Sequence, residues 1–189
     1  VTVPLALDLA ALPTLVAGAG APLLKRLALL DAERVPALVV HAPDPSPEFR
    51  AAAGSRLIER LPTDAEIAGV RVLFVAGLPP DQGARLAAVA RRHRVLVNVE
   101  DVPPLCDFHV PAIIRRGDLA VSISTGGASP TLARRLRAYL GAMLPEEWAE
   151  RIERIAALRA RMRADGATPP QVMAATDALI DGEGWLPQA

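Results

Sequence analysis

The segment Thr14-Leu15-Val16-Ala17-Gly18-Ala19-Gly20-Ala21-Pro22 decides the fold. Its first four residues are a short apolar run of the kind that forms a buried strand. Gly18-Ala19-Gly20 ends that run, and from Pro22 the pattern becomes helical, with Leu23, Leu24, Leu27, Leu30 and Ala32 as inward positions. Pro22 suits the first turn of this helix, where its missing N–H is not needed. In a strand that passes through glycines into a helix, the backbone can come close to a pyrophosphate at the helix N-terminus. The same residues would also make an ordinary tight strand-to-helix turn.

Downstream, strand and helix patterns alternate. Ala37-Leu38-Val39-Val40 reads as a second buried strand ending in His41-Ala42-Pro43-Asp44, and a helical stretch follows around Glu48 to Ala53. A third strand is expected over Arg56 to Arg60, a fourth over Val70 to Ala76 and a fifth over Val95 to Val97. Pro79-Pro80 breaks the fourth and leads to an amphipathic helix from Asp81 to Arg92. Continuous apolar strands between helices indicate a parallel sheet covered on both faces. Residues 1–105 are therefore expected to form a Rossmann-like α/β domain.

The pattern changes after residue 105. Phe108 to Ile114 and Leu119 to Ile123 alternate in polarity and flank Arg115-Arg116-Gly117-Asp118, a hairpin-like turn. A helix from Pro130 to Leu144, capped by Ser129, completes a small α+β segment over residues 106–144. Two strands and one helix are too few to bury their own faces, so a second subunit or the first domain is expected to cover them. Residues 145–189 read as a helical region, with helices over Glu146 to Ala164 and Ala167 to Ile180.

Composition narrows the classes. The 189 residues are 51% hydrophobic but only 3% aromatic, so the core is expected to be built mainly from Ala, Leu and Val. The 21 basic and 21 acidic residues balance, which gives no support to nucleic-acid binding. No apolar stretch approaches the roughly 20 residues needed to span a bilayer. A single cysteine, Cys106, leaves no internal disulfide or cysteine zinc cluster. Histidines at 41, 93 and 109 make no metal-ligand spacing, so no resident metal is expected. Together these predict a soluble, cytoplasmic protein.

Several residues are placed for chemistry. Asp44 stands at about the distance past the glycines where a carboxylate binds a ribose 2′-OH, although its prolines equally suit a turn or N-cap. Asn98 and Asp101 fall at the carboxyl end of the fifth strand, where open α/β sheets bind ligands. The alternatives are a backbone-satisfying amide and an Asx turn before Pro103-Pro104. His109 alternates with Phe108 and Val110; an isolated histidine is more often structural, but closeness in sequence to Asp101 raises a functional reading in which both border one cleft. Ser124-Thr125-Gly126-Gly127-Ala128-Ser129-Pro130 can turn backbone N–H groups outward beside a helix N-terminus, a loop that suits an anion or simply starts a helix well. Arg134, Arg135 and Arg137 follow, either along the path of an acidic ligand or as a solvated helix face.

In order and spacing these residues resemble the precorrin-2 dehydrogenase/sirohydrochlorin ferrochelatase family, which also forms the N-terminal module of siroheme synthase. The resemblance covers about Val3 to Pro145. It rests on Pro4-Leu5 with Leu7-Asp8-Leu9, the strand into Gly18-Ala19-Gly20, Asn98-Val99-Glu100-Asp101, Asp107-Phe108-His109-Val110-Pro111-Ala112, Arg116-Gly117-Asp118-Leu119 and Ser124 to Pro130.

The resemblance implies NAD⁺-dependent oxidation of precorrin-2 to sirohydrochlorin, with Fe²⁺ insertion in some members, by a homodimer joined through the 106–144 segment. It makes Asp101 the catalytic base and Asn98, His109, Ser124, Thr125, Gly126 and Gly127 substrate contacts. Gly18, Ala19, Gly20, Ala21, Pro22, Asp44, Ala76 and Gly77 become cofactor contacts. On this reading the Asn98–Arg137 stretch is the hinge of the molecule, with Asp101 facing the nucleotide domain and the Gly126-Gly127 loop receiving substrate carboxylates.

Three positions depart from the family pattern. Leu23 replaces a small residue and is expected to hold the first helix away from its strand. Ala76-Gly77-Leu78-Pro79-Pro80 stands where Ala-Thr and acidic or amide residues are usual, and Thr125 stands where Ser is frequent. The first two motivate one alternative, a tetrapyrrole-binding or scaffold protein without dehydrogenase activity; a chelatase without dehydrogenation is a further one.

Overall fold

The structure is a computed structural model that describes residues 3–186. Residues 1–2 and 187–189, the extremes of the first and last expected regions, lie outside the described residues. The chain packs as two units, one up to Val110 and one from Pro111 onward.

The first unit contains β1 (Thr14–Gly18), α1 (Gly20–Ala32), β2 (Leu38–His41), α2 (Pro47–Ala53), β3 (Leu57–Ile58), α3 (Asp64–Ala68), β4 (Val72–Ala76), α4 (Pro80–Arg92) and β5 (Leu96–Val99). The five strands pair in the order β3-β2-β1-β4-β5, all parallel. β1 is central, pairing Thr14 with Leu38 on one side and with Val72 on the other. Every residue of β1 and β4 is buried, as expected for strands covered on both faces.

The period-two alternation of side chains divides the core. Leu15, Ala17, Leu73, Val75, Val97 and Val99 meet Ile67 of α3 and Leu86, Ala87 and Ala90 of α4 on one face. Val16, Val40, Val72 and Phe74 meet Leu23, Leu27 and Leu30 of α1 and Phe49 of α2 on the other. The order reverses direction at β1, because β2 lies on one side of it and β4 on the other. Such a switch point leaves a crevice at the carboxyl ends of the two central strands.

Three local expectations need correction. The third strand shrinks from Arg56–Arg60 to Leu57–Ile58, because a single 3₁₀ turn takes up Gly54–Arg56. Helix α3 is short and was not anticipated; a capping box supports it, with Thr63 Oγ1 accepting from Glu66 N–H and the Glu66 carboxylate accepting from Thr63 N–H. The alternating Phe108–Ile114 segment becomes a strand only from Ala112, since Pro111 cannot donate to a ladder.

The second unit holds β6 (Ala112–Arg116), β7 (Leu119–Ile123), α5 (Pro130–Met143), α6 (Trp148–Ala164) and α7 (Pro169–Gly182). β6 and β7 form an antiparallel hairpin whose turn is Gly117-Asp118, with Arg115 and Arg116 inside the strand. Gly117 has φ +56°, and a Cβ there would press on Ala149. Arg116 donates to the carbonyls of Leu144 (2.7 Å) and Gly141 (3.1 Å), placing a cation on the C-terminal end of α5. Trp185 packs edge-on to Trp148, and Arg151 lies over both rings.

Candidate active site at the carboxyl edge of the parallel sheet

Two glycine turns meet at the switch point. A Cβ on Gly18 would lie 1.8 Å from the Ala76 carbonyl oxygen, so only glycine allows β1 to end against β4. Gly77 has φ +67°, and a Cβ there would come within 2.2 Å of the Ala19 carbonyl. Ala19 N–H donates to Ala76 O at 3.0 Å and closes the contact. Gly77, a departure from the family pattern, thus answers a steric demand of this chain's own β1 turn.

Helix α1 begins at Gly20 (φ +64°), and its N-cap Ala19 supplies no side-chain hydrogen bond. Serine or threonine hydroxyls accept cap hydrogen bonds at α2, α3 and α5. The first turn of α1 carries no acidic residue either, so its orphan N–H groups and positive dipole end are left for an anion. The bare backbone at exposed Gly20 and the uncapped helix fit a dinucleotide pyrophosphate, with Gly18, Ala19, Gly20, Ala21 and Pro22 as the residues that would hold it. Leu23 lies fully buried in the α1 face of the core, and the side chain facing the β4 turn is Pro22, 3.3 Å from a Cβ at Gly77.

Asp44 follows β2, exposed and in the left-handed region at φ +49°. Ser46 caps α2 two residues later, its hydroxyl accepting from Phe49 N–H at 3.2 Å. The N-cap role foreseen as an alternative for Asp44 therefore falls to Ser46.

The end of β5 is held with unusual thoroughness. Glu100 N–H donates to Val75 O at 2.9 Å, extending the β4–β5 ladder by one bond. Asp101 then takes φ +60°, which turns the chain and leaves its side chain exposed beside the crevice. Cys106 Sγ folds under this turn, donating to Val99 O (3.1 Å) and accepting from Val99 N–H (3.3 Å). Burial pushes the Cys106 thiol pKa up, so it stays a neutral hydrogen-bonding group.

Asp107 acts as a surrogate strand. Its N–H donates to Val97 O (2.7 Å), and its carboxylate accepts from Val97 N–H (3.1 Å) and Arg91 Nε (3.1 Å). Arg26 of α1 reaches Glu100 at 3.5 Å and lies over the Phe74 ring, so a buried cation ties α1 to the Asp101 turn. From sequence, Cys106, Asp107 and Arg26 carry no site role, although Asp107 opens one of the motifs behind the resemblance. Only their contacts across the fold reveal them.

Asn98 is 6% exposed, and its Nδ2 donates to the Phe108 carbonyl at 2.9 Å. The carbonyl oxygen Oδ1 of the same side chain is buried without a partner among the described residues. Phe108 stacks edge-on against Phe74, with centroids 5.4 Å apart, while His109 points outward and is exposed. Gly77, Leu78, Pro79, Val99, Glu100 and Val102 line a cavity of about 190 Å³ on the α4 side of this edge.

The structure thus gathers Gly18–Pro22, Asp44, Ala76, Gly77, Asn98 and Asp101 at one end of one sheet. Ser124 to Gly127 belong to the second unit. There Thr125 Oγ1 accepts from Ser129 N–H at 3.1 Å, and Gly126 N–H donates to Ser124 Oγ at 3.2 Å. Gly126 (φ +61°) and Gly127 (φ +84°) supply the left-handed turn, with open space where their Cβ atoms would be.

Comparison with known proteins places this arrangement. A family described as putative NAD(P)-binding matches residues 5–112, and one described as sirohaem biosynthesis protein central matches residues 116–143. The chain is 37% identical over 162 residues to a siroheme synthase of Methylococcus capsulatus, covering 85% of this chain and 34% of that protein. A siroheme synthase of Pseudomonas putida is 38% identical over 153 residues, covering 79% and 32%. The chain therefore spans about a third of the length of these curated relatives. The solved structure of SirC, a precorrin-2 dehydrogenase, superposes with a TM-score of 0.77 at 23% identity, over 96% of this chain and 91% of that one. A match over most of the first unit, followed in order by the second segment, makes this chain a member of the putative NAD(P)-binding family to which the N-terminal module of siroheme synthase belongs.

Proposed function

We propose that the chain dehydrogenates precorrin-2 to sirohydrochlorin with NAD⁺, as a cytoplasmic homodimer. One observation carries the reading most: the exposed Asp101 carboxylate, turned out at φ +60°, stands at the same sheet edge as the glycine cradle of β1 and β4. The names of the relatives, siroheme synthase and precorrin-2 dehydrogenase, point to the same substrate.

Removing two hydrogens from a saturated carbon pair requires a hydride acceptor and a base. NAD⁺, when bound, supplies the hydride acceptor. Asp101 takes the proton, and its exposed position past a strand end leaves its carboxylate without a competing partner among the described residues. Asp44 binds the ribose hydroxyls. Asn98 and His109 border the substrate on the β5 side, and Ser124 to Gly127 receive substrate carboxylates through backbone N–H groups. Insertion of Fe²⁺, with iron as substrate, is a second step for which the same carboxylate would accept the pyrrole N–H protons.

The homodimer reading is supported by the second unit's own surface. Leu132, Tyr139 and Met143 form a stripe at helical spacing on α5, exposed by 48%, 65% and 62%. A second copy covers this stripe.

Purified protein given precorrin-2 and NAD⁺ is expected to form NADH as the tetrapyrrole spectrum changes. Absence of NAD⁺-dependent turnover at saturating cofactor would sink the reading and leave tetrapyrrole binding alone. Asp101→Ala is expected to lower the rate by about 10²–10⁴-fold with the dimer intact, the usual cost of a lost general base. An unchanged rate would remove Asp101 from the chemistry.

A further inference from the structure

We propose that Glu59 sets a preference for a dinucleotide with a free 2′-hydroxyl over one with a 2′-phosphate, by holding Arg50 in an ion pair at the β2–β3 corner. The proposal rests on the dinucleotide reading of the Gly18–Gly20 edge and adds a selecting residue to it. In a parallel sheet with the pyrophosphate at the β1 turn, the adenine-side ribose falls at the carboxyl end of the neighbouring strand. Here that strand is β2, which pairs with β3 through Val40–Leu57 and His41–Ile58. Asp44 stands just past the end of β2, and Glu59 directly follows β3.

Arginine is the residue that accommodates a 2′-phosphate, through its planar fork of donors. Arg50, in the last turn of α2, is the arginine placed to do so, and its fork is already occupied. Nε donates to Glu59 Oε1 and Nη2 to Glu59 Oε2, each at 2.8 Å. The hydrogen bonds that the Glu59 carboxylate accepts, and the weaker field of Asp44, hold the guanidinium pKa above its ordinary value.

The two neighbouring arginines are engaged as well. Arg56 pairs with Asp31 and also donates to the Ala52 and Ala53 carbonyls, and Arg60 pairs with Glu66 through two bonds of 2.7 Å. A 2′-phosphate arriving here meets the Asp44 carboxylate with each of these guanidinium groups already spoken for. A 2′-hydroxyl meets a carboxylate that accepts its hydrogen bond. The selection is thus made by withholding a cation as much as by offering an anion.

Isothermal titration with NAD⁺ and NADP⁺, without substrate, tests this through the ratio of the two dissociation constants. The wild-type protein is expected to bind NAD⁺ more tightly. Glu59→Gln removes the charge that holds Arg50 and is expected to shift the ratio toward NADP⁺ by about two- to fivefold, the scale of one exposed charge contact. Glu59→Gln combined with Arg50→Ala is expected to return the ratio to the wild-type value. The pair is exposed, so circular dichroism should show both variants folded.

An unchanged ratio in Glu59→Gln overturns the proposal, as does a shift that survives in the double variant. Equal wild-type affinity for both dinucleotides overturns it too. If the wild-type protein binds neither dinucleotide, the reading of the glycine edge falls, and this proposal with it.

Discussion

The chain up to Val110 and the chain from Pro111 onward answer the same problem differently. In the first, β1 and β4 are buried along their whole length, and two apolar clusters close over both faces of the sheet. In the second, α5 has no buried residue, while α6 and α7 have one each, Trp148 and Val172. A five-stranded sheet flanked by helices encloses its own core. A two-stranded hairpin with three helices leaves an apolar stripe in solvent. The comparison teaches where each kind of function belongs: a self-sufficient unit can hold a rigid cofactor edge, and an unfinished one invites association.

The largest blow to the first unit should come from its tightest backbone contact. Gly18→Ala forces a Cβ against the Ala76 carbonyl, and overpacking of that kind costs about 1–3 kcal/mol. Urea unfolding is expected to show that loss together with weakened NAD⁺ binding by titration. Retained affinity would mean that the β1–β4 contact does not shape the cofactor edge.

On the second unit the expected effect is association rather than stability. Leu132→Glu with Tyr139→Glu should convert the proposed homodimer to a monomer in sedimentation velocity. Each is a surface change within a single protomer, so monomer stability should move by only about 0.5 kcal/mol per site. A dimer that survives both substitutions would place the interface elsewhere.

The smallest effect concerns His41, the last residue of β2. Its Nδ1 lies 3.1 Å from the Arg60 carbonyl, which can only accept, so Nδ1 carries the proton. The other ring nitrogen, Nε2, is buried without a partner among the described residues. Burial, the main cause, lowers its pKa below the ordinary 6.5. The unfolded chain therefore takes up a proton before the folded one does. The stability this histidine contributes is complete above pH 6.5 and is lost as pH falls through the lowered folded value.

The slope within that window is at most about 1.4 kcal/mol per pH unit. Urea midpoints measured from roughly pH 7.5 down to pH 5 should fall more for the wild-type protein than for His41→Gln. Stopping there avoids the carboxylates of Glu59 and Glu183, which their arginine partners hold below 4.5. Parallel curves would show that His41 is not the group that titrates.

Much of the first unit was legible because its strands are continuous apolar runs and its helices have a regular period. β1, α1, β4 and α4 fall within a residue or two of where the pattern puts them. Helix α3 escaped because five residues are too few to show a period, although the Thr63–Glu66 box was there to read. At the proposed site, the strand-end placement of Gly18, Gly20 and Asp101 was legible, because residue type and strand end coincide there. The clasp beneath Asp101 was not, because Cys106 and Asp107 do their work through backbone atoms of β5 that no spacing rule connects to them.

By itself, then, the sequence determined a parallel sheet with a glycine turn and a carboxylate at a strand end, since local periodicity and glycine sterics act over neighbouring residues. Only the tertiary structure decided that Gly77 must be glycine, that Pro22 rather than Leu23 faces the second turn, and that Arg50 is held by Glu59. These are contacts between segments far apart in the chain. Their geometry comes into being only when β1, β2, β3 and β4 lie side by side.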